Sequence, residues 1–174
     1  MESRDKHRIA LLASYALALH GIETLLPSPI PWLKMGLSNI ITLVALYRYG
    51  MESAVMVTLV RVLLGSLLLG TFLGPAFFLS LGGGVAGVLS MALTLRLLPG
   101  LFSPLGISLI GAFFHNTAQL FVAYLLFVQR IEAIVLVAPV LITTGVLTGT
   151  VNGIAAGYLL AEIRGKGSGG KAPA

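Results

Sequence analysis

The stretch SAVMVTLVRVLLGSLLLGTFL, residues 53–73, decides the class of fold. It has about the 20 residues that a helix needs to cross the hydrocarbon core of a bilayer. Arg61 is the only charged residue within it. A run of this length and composition predicts a membrane-spanning helix, and the remainder of the chain has the same character.

The composition excludes an ordinary soluble domain. Of the 174 residues, 57% are hydrophobic and only 10% are charged, whereas soluble domains are about 25% charged. Disorder is excluded as well, because it requires low hydrophobicity. The net charge of +5 does not indicate nucleic-acid binding, since the basic residues stand singly at the ends of apolar segments. The absence of cysteine excludes disulfides, thiolate metal sites and cysteine nucleophiles.

Six apolar segments predict an all-α integral membrane protein with six transmembrane helices. A single domain, 1–164, is followed by a tail, 165–174, that we expect to be disordered and cytoplasmic. The six segments are 8–26, 35–47, 53–73, 75–98, 105–128 and 133–161. The fourth is interrupted by three consecutive glycines, 82–84.

The distribution of basic residues predicts the orientation. With the N-terminus inside, eight Lys or Arg residues lie on the inner side and two on the outer side. The inner residues are Arg4, Lys6, Arg8, Arg48, Arg96, Arg164, Lys166 and Lys171, and the outer ones are Lys34 and Arg130. This bias predicts a multi-pass membrane protein with both termini in the cytoplasm.

Arg61 lies eight residues, or about 12 Å at roughly 1.5 Å per residue, into its span, which is close to the midplane. An arginine there costs at least about 2.5–3.5 kcal/mol on insertion scales. It therefore faces either a polar cavity that binds an anion, or carbonyls or an acid that it pairs with for helix packing. The sequence leaves both interpretations open.

The fifth segment contains a second polar cluster, His115, Asn116 and Gln119. Residues three and four apart share a helix face, so these side chains predict either a ligand cavity or interhelical hydrogen bonds. Lys34 and Asn39 are expected near the mouth of the same cavity. Lys34 alternatively extends to the lipid headgroups.

Small residues recur at a spacing of four in two segments. Gly145, Gly149, Gly153 and Gly157 predict a face on which another helix packs closely; Thr144, Thr148 and Asn152 run beside it and are candidate cavity residues. Ala10, Ser14 and Ala18 in the first segment either pack internally or dock another protein.

Several kinds of chemistry are missing from the sequence. Asp5 is the only aspartate, so no Asp-rich motif holds Mg²⁺ on a diphosphate. Neither a Walker A motif nor HExxH occurs. The residues therefore favour ligand binding over catalysis, with no catalytic residue, metal or cofactor expected.

Four blocks carry a resemblance to a known family. They are KMGLSNIITL (34–43), RVLLGSL (61–67), FLSLGGG (78–84) and GAFFHNTAQ (111–119). In this order they resemble the bacterial heptaprenyl diphosphate synthase component I family, also called the Gx transporter family. More distantly, that family resembles the substrate-binding S-components of energy-coupling factor transporters, which are six-helix membrane proteins of about this length.

The resemblance implies an S-component-like bundle that captures a small anionic compound, isoprenoid- or quinone-related or vitamin-like. It further implies the bacterial cytoplasmic membrane as the setting, with a transmembrane coupling subunit and ATPase subunits as partners beside the lipid bilayer. The distribution of basic residues predicts no nucleic-acid partner. S-components often dock through an Ala-x-x-x-Ala motif, and Ser14 departs from that pattern here. Two alternatives remain: an accessory or catalytic component of polyprenyl diphosphate synthesis, and a stand-alone carrier or membrane subunit of another complex.

Overall fold

The computed structural model describes residues 3–25 and 36–168, and within those ranges the chain is all-helical. This confirms the predicted fold class. Five α-helices follow one another, with a short π-helical segment after the fourth. They are α1 (Ser3–Leu25), α2 (Ser38–Leu68), α3 (Pro75–Leu97), α4 (Pro104–Ala123), the π-helical segment (Tyr124–Val128) and α5 (Ile131–Ser168).

Helix α2 reverses its direction at Gly50. That residue has φ 82° and ψ −176°, whereas its neighbours are helical. The hydroxyls of Thr42 and Thr58, 16 residues apart in sequence, are 3.5 Å apart, although a straight helix would separate such residues by about 24 Å. The first arm of α2 (38–49) and the second arm (51–68) therefore lie side by side and antiparallel.

The predicted count of six helices is not confirmed, because five α-helices are described; the predicted second and third segments correspond to the two antiparallel arms of α2. Within the described residues, four helical runs have the length and composition to cross a membrane: 38–68, which comprises both arms of α2, 75–97, 104–128 and 131–165. The apolar part of α1, Ile9–Leu19, is shorter. These runs are those of a multi-pass membrane protein.

Two other boundaries differ from the prediction. The three glycines 82–84 do not interrupt a helix, since α3 is continuous from Pro75 to Leu97. At the other end of the chain, α5 continues to Ser168. Residues 165–168 of the predicted tail are therefore helical, and 169–174 lie outside the described residues.

Successive helices pack against each other along the chain, and α5 also contacts α2. The buried core includes Leu43 and Val57 of the two α2 arms, Val88 of α3, Ile107 of α4 and Ala156 of α5. Val57 precedes Arg61 by about one helical turn and Ile107 precedes His115 by about two. The core therefore separates these polar side chains from the Gly50 end of the bundle.

The outer faces of α4 and α5 are strongly apolar. Phe121 is 61% exposed, Leu136 79% and Leu147 63%. Contiguous apolar surface on this scale marks an interaction with a membrane or a partner. Together with the length of these helices, it indicates that acyl chains cover this side of the bundle.

Candidate ligand-binding cavity

A cavity of about 140 Å³ lies inside the bundle and is lined by residues of α2, α3, α4 and α5. Its volume is close to that of the roughly 150 Å³ engineered cavity that holds benzene. The lining includes five of the six residues that the sequence predicts for ligand binding: Asn39, Arg61, His115, Asn116 and Gln119. The sixth, Lys34, lies outside the described residues.

Arg61 is fixed at the cavity wall by the first arm of α2. Its Nη1 donates to Ser38 Oγ, and its Nη2 donates to Asn39 Oδ1 at 3.3 Å. Arg61 is 8% exposed and Ser38 is fully buried. Since both acceptors belong to the other arm, the reversal at Gly50 is what brings them to the guanidinium. The arginine therefore serves helix packing and lines the cavity at the same time.

The glycines of α3 let the second arm of α2 and α4 approach the same helix. A Cβ on Gly83 would lie 2.9 Å from His115 Nε2 and 2.8 Å from Gln119 Cγ. A Cβ on Gly84 would lie 3.0 Å from Thr58 Cγ2 and 3.8 Å from Arg61 Nη2. Any side chain at these two positions would occupy the space that the polar residues now fill.

His115 is half-buried in the cavity wall. Its ring packs against Gly83, where a built Cβ would lie 2.9 Å from Nε2, and it lies within electrostatic range of Arg61. In neutral histidine one ring nitrogen donates a hydrogen bond and the other accepts one. The contact with Gly83 fixes the orientation of the ring relative to α3. The imidazole and the guanidinium thus belong to one site.

Asn116 connects α4 to α5 as well as lining the cavity. Its Nδ2 donates to the carbonyl oxygen of Leu141 at 2.6 Å. The amide occupies the place where a Cβ of Gly145 would be, so this contact requires a glycine there. One amide N–H is engaged by α5, and the amide oxygen remains the acceptor with which Asn116 can serve a ligand.

The glycine stripe of α5 faces α4 over part of its length. It comprises Gly145, Gly149, Gly153 and Gly157. A Cβ on Gly149 would lie 3.0 Å from Ala112 Cβ, and one on Gly153 would lie 2.6 Å from Leu105 Cα. Gly157 has no atom within 4 Å of its built Cβ. The close approach therefore ends between Gly153 and Gly157.

The small-residue face of α1 does not pack within the described part of the chain. Ala10, Ser14 and Ala18 are all exposed. The hydroxyl of Ser14 donates to the carbonyl oxygen of Ala10 at 2.8 Å, within the same helix. Of the two predicted uses of this face, internal packing is not seen.

The cavity also includes polar residues beyond the six predicted for ligand binding, and three of them, Asn152, Thr144 and Thr148, were candidate cavity residues in the sequence. Asn152, 3% exposed, donates to the carbonyl oxygen of Gly36 at 3.1 Å and so holds the start of α2 against α5. Thr144 and Thr148 line the wall beside the glycines of α5, as their spacing suggested.

Ser80 and Ser108 also line the cavity, but the sequence analysis missed them. A single serine in an apolar helix usually forms a hydrogen bond with its own backbone and gives no pattern.

The charge of the cavity is positive. Arg61 is the only Asp, Glu, Lys or Arg among the described residues of the lining. Arginine is protonated at any physiological pH. Hydroxyl, amide and imidazole groups of four helices surround it, with Leu43, Val88, Met91 and Val140 as apolar walls. This arrangement suits a compact ligand that has an anionic group and an apolar body.

Fold and site together define a multi-pass α-helical membrane protein with a polar cavity inside the bundle. The family model of heptaprenyl diphosphate synthase component I matches residues 12–159 of the chain. Because the match covers most of the length, the chain belongs to that family, as the four sequence blocks predicted. Searches of curated proteins and of solved structures gave no match.

Proposed function

We infer that the chain is the membrane-embedded substrate-binding component of an importer of the energy-coupling factor type. The observation that carries this proposal is Arg61, a buried cation on the wall of an internal cavity lined by four helices. Buried ionisable residues in a membrane are expensive and usually mark a substrate path or site. The substrate is a small anionic compound with an apolar body.

The absence of a Walker A motif from the sequence agrees with such a component, because its partners supply ATP hydrolysis. We propose a transmembrane coupling subunit and ATPase subunits as those partners. The exposed Ala10, Ser14 and Ala18 face of α1 supports docking on a helical partner, since small residues let helices approach closely. The setting we propose is the bacterial cytoplasmic membrane, with both termini in the cytoplasm.

The second candidate is an accessory component of polyprenyl diphosphate synthesis, and the family name favours it. The chemistry of the chain argues against catalysis by this subunit. Asp5 is the only aspartate in the sequence, whereas Mg²⁺ on a diphosphate is usually held by carboxylates. A cavity of about 140 Å³ is also small for a chain of seven prenyl units. We therefore propose that this subunit is not itself an enzyme.

Purification in mild detergent followed by mass spectrometry of retained small molecules tests the proposal. We expect a compact anion bound to the wild-type protein and to Arg48→Ala, whose arginine is exposed outside the cavity. Arg61→Ala should lose that compound while keeping the wild-type elution profile. Copurification with ATPase subunits supports the importer, and copurification with a soluble prenyl transferase instead would support the synthase component.

A further inference from the structure

A second, smaller pocket adjoins the candidate cavity. It has a volume of about 60 Å³ and lies where the second arm of α2 ends and α3 begins. Arg61 and Ser80 line both the pocket and the cavity. Arg61 therefore borders both spaces, which places the pocket beside any ligand bound to this residue in the cavity.

The rim of this pocket is built by a defined turn. Helix α2 ends at Leu68, and Gly70 follows it with φ 65°. The Gly70 N–H donates to Leu67 O at 3.3 Å, and the Thr71 N–H donates to Ser66 O at 2.8 Å. These are the two hydrogen bonds of a Schellman motif, in which glycine takes the left-handed position. Since Thr71 and Ser66 both line the pocket, this motif fixes its shape.

Aromatic packing holds the next part of the chain in place. The rings of Phe72 and Phe77 meet edge to face with centroids 5.1 Å apart. Phe77 is buried and lines the pocket. The loop between α2 and α3 is thereby attached to the first turn of α3, and the pocket is preformed.

Besides Arg61, the described lining of the pocket has four apolar residues and three hydroxyl residues. The carbon surface comes from Val62, Leu69, Ala76 and Phe77, and the hydroxyls come from Ser66, Thr71 and Ser80. The hydroxyl of Ser66 donates to the carbonyl oxygen of Leu63 at 2.9 Å, so its proton is used within its own helix. Because this lining offers no charge besides Arg61, the pocket suits an alkyl group of a few atoms better than a second charged group.

We propose that this pocket is a subsite for a short, branched alkyl substituent of the ligand whose anionic group binds Arg61. The inference rests on the proposed function, because it places both groups on one molecule. The ligand class is a small carboxylate or phosphate monoester that carries about one isoprenoid-sized branch. The anion lies between Arg61 and Ser80, and the branch fills the space beside Phe77.

Binding of matched probes to the purified protein tests the subsite. Methyl phosphate and isopentyl phosphate form one pair, and acetate and isocaproate form the corresponding carboxylate pair. The wild type should prefer the branched member of the pair whose anion it accepts. Ala76 lines the pocket, so Ala76→Leu should fill it and weaken binding of that member about tenfold, the lower end for a changed methylene in an apolar pocket. The small member should bind unchanged.

Ala161→Leu is the matched control, because Ala161 is an exposed residue of α5 that lines neither pocket. Equal affinity of the wild type for both members of each pair would overturn the subsite, as would unchanged binding of the branched probe by Ala76→Leu.

If Arg61→Ala abolishes binding while Ala76→Leu changes nothing, the subsite fails and the proposed function stands. If Arg61→Ala binds every probe like the wild type, the anion site itself is wrong. A wild type that binds none of the four probes would refute both.

Discussion

At the scale of the residue, Arg61 shows how this fold accommodates a charge near the middle of a membrane. Its two terminal nitrogens donate to Ser38 and Asn39 on the antiparallel first arm. Buried polar groups that lack hydrogen bonds cost roughly 1–3 kcal/mol each, and more when charged. These two hydrogen bonds satisfy part of the hydrogen-bonding capacity of the guanidinium and hold this planar group in one orientation against the cavity.

Arg61→Lys tests whether that planar group matters. A lysine keeps the charge but cannot reproduce the fork of donors. We expect the affinity for an anionic probe to fall about tenfold, within the range for hydrogen bonds to charged groups. The measurement is equilibrium binding to purified protein, with Arg96→Lys, an exposed arginine, as control. Equal affinities of Arg61→Lys and the wild type would show that only the charge is used.

At the scale of the element, glycines decide where helices bend and where they meet. Gly50 takes a positive φ that turns α2 back on itself. Gly83 and Gly84 leave room on α3 for His115 and Arg61. Gly145, Gly149 and Gly153 bring α5 against α4. The same residue type thus has three different uses, and its position alone does not distinguish them.

Gly50→Ala should destabilise the hairpin of α2. Gly50 has φ 82° and ψ −176°, a region of backbone conformation that is essentially restricted to glycine and costs other residues roughly 1–3 kcal/mol. We expect a lower apparent Tm in detergent and weaker anion binding, because Arg61 depends on the first arm. Gly21→Ala is the control: its built Cβ meets nothing within 4 Å and it lies within α1. A Gly50→Ala variant as stable as the control would mean that the reversal does not need glycine.

A pair of alanine substitutions on α5 tests the packing face. A Cβ at Gly153 would lie 2.6 Å from the backbone Cα of Leu105, so one helix must move. Overpacking of this kind costs about 1–3 kcal/mol. A Cβ at Gly157 would meet nothing within 4 Å. Gly157→Ala should therefore stabilise the protein by about 0.5–1 kcal/mol, since alanine is the better helix former. The measurement is the apparent Tm of Gly153→Ala and Gly157→Ala in the same detergent. A higher Tm for Gly153→Ala than for Gly157→Ala would exclude this contact between α4 and α5.

At the scale of the whole molecule, the exterior of the bundle is apolar, and a group of polar side chains lies inside it next to an apolar core. Large apolar side chains such as Leu136 are 79% exposed, whereas Arg61 and Asn152 are buried among helices. Lipid covers the exterior, so polar groups lower their free energy by facing one another. The buried core closes the cavity toward the Gly50 end, and we predict that the ligand enters from the opposite, outer side.

Single cysteines test this orientation, because the wild-type chain contains none. Met51 and Leu101 are exposed at one end of the antiparallel bundle, and Phe72 and Ile131 are exposed at the other. A membrane-impermeant maleimide should label cysteines at 72 and 131 in intact cells, and at 51 and 101 only after permeabilisation. Labelling at 51 and 101 alone would reverse the orientation. Labelling at 51 but not at 101 would contradict the hairpin arrangement of the helices.

The sequence predicted much of the candidate site, for a physical reason. A charged or amide side chain within an apolar run is costly unless it faces other polar groups. Arg61, His115, Asn116, Gln119 and Asn39 could therefore be selected without coordinates, and all five line one cavity. Ser80 and Ser108 could not be selected in this way. A serine can form a hydrogen bond with the backbone of its own helix, and its burial depends on neighbours that are distant in sequence.

The sequence by itself determined the class of protein, since hydropathy and segment length depend only on composition along the chain. It also determined family membership, because the matched residues 12–159 are read directly from the chain. Only the tertiary structure decided that the two arms of α2 lie side by side around Gly50, with Ser38 and Asn39 against Arg61, because the conformation of Gly50 is not encoded in the identity of the residue. The structure alone also decided that the glycine contact stops before Gly157. Contacts of this kind depend on the distance between helices, which no local pattern specifies.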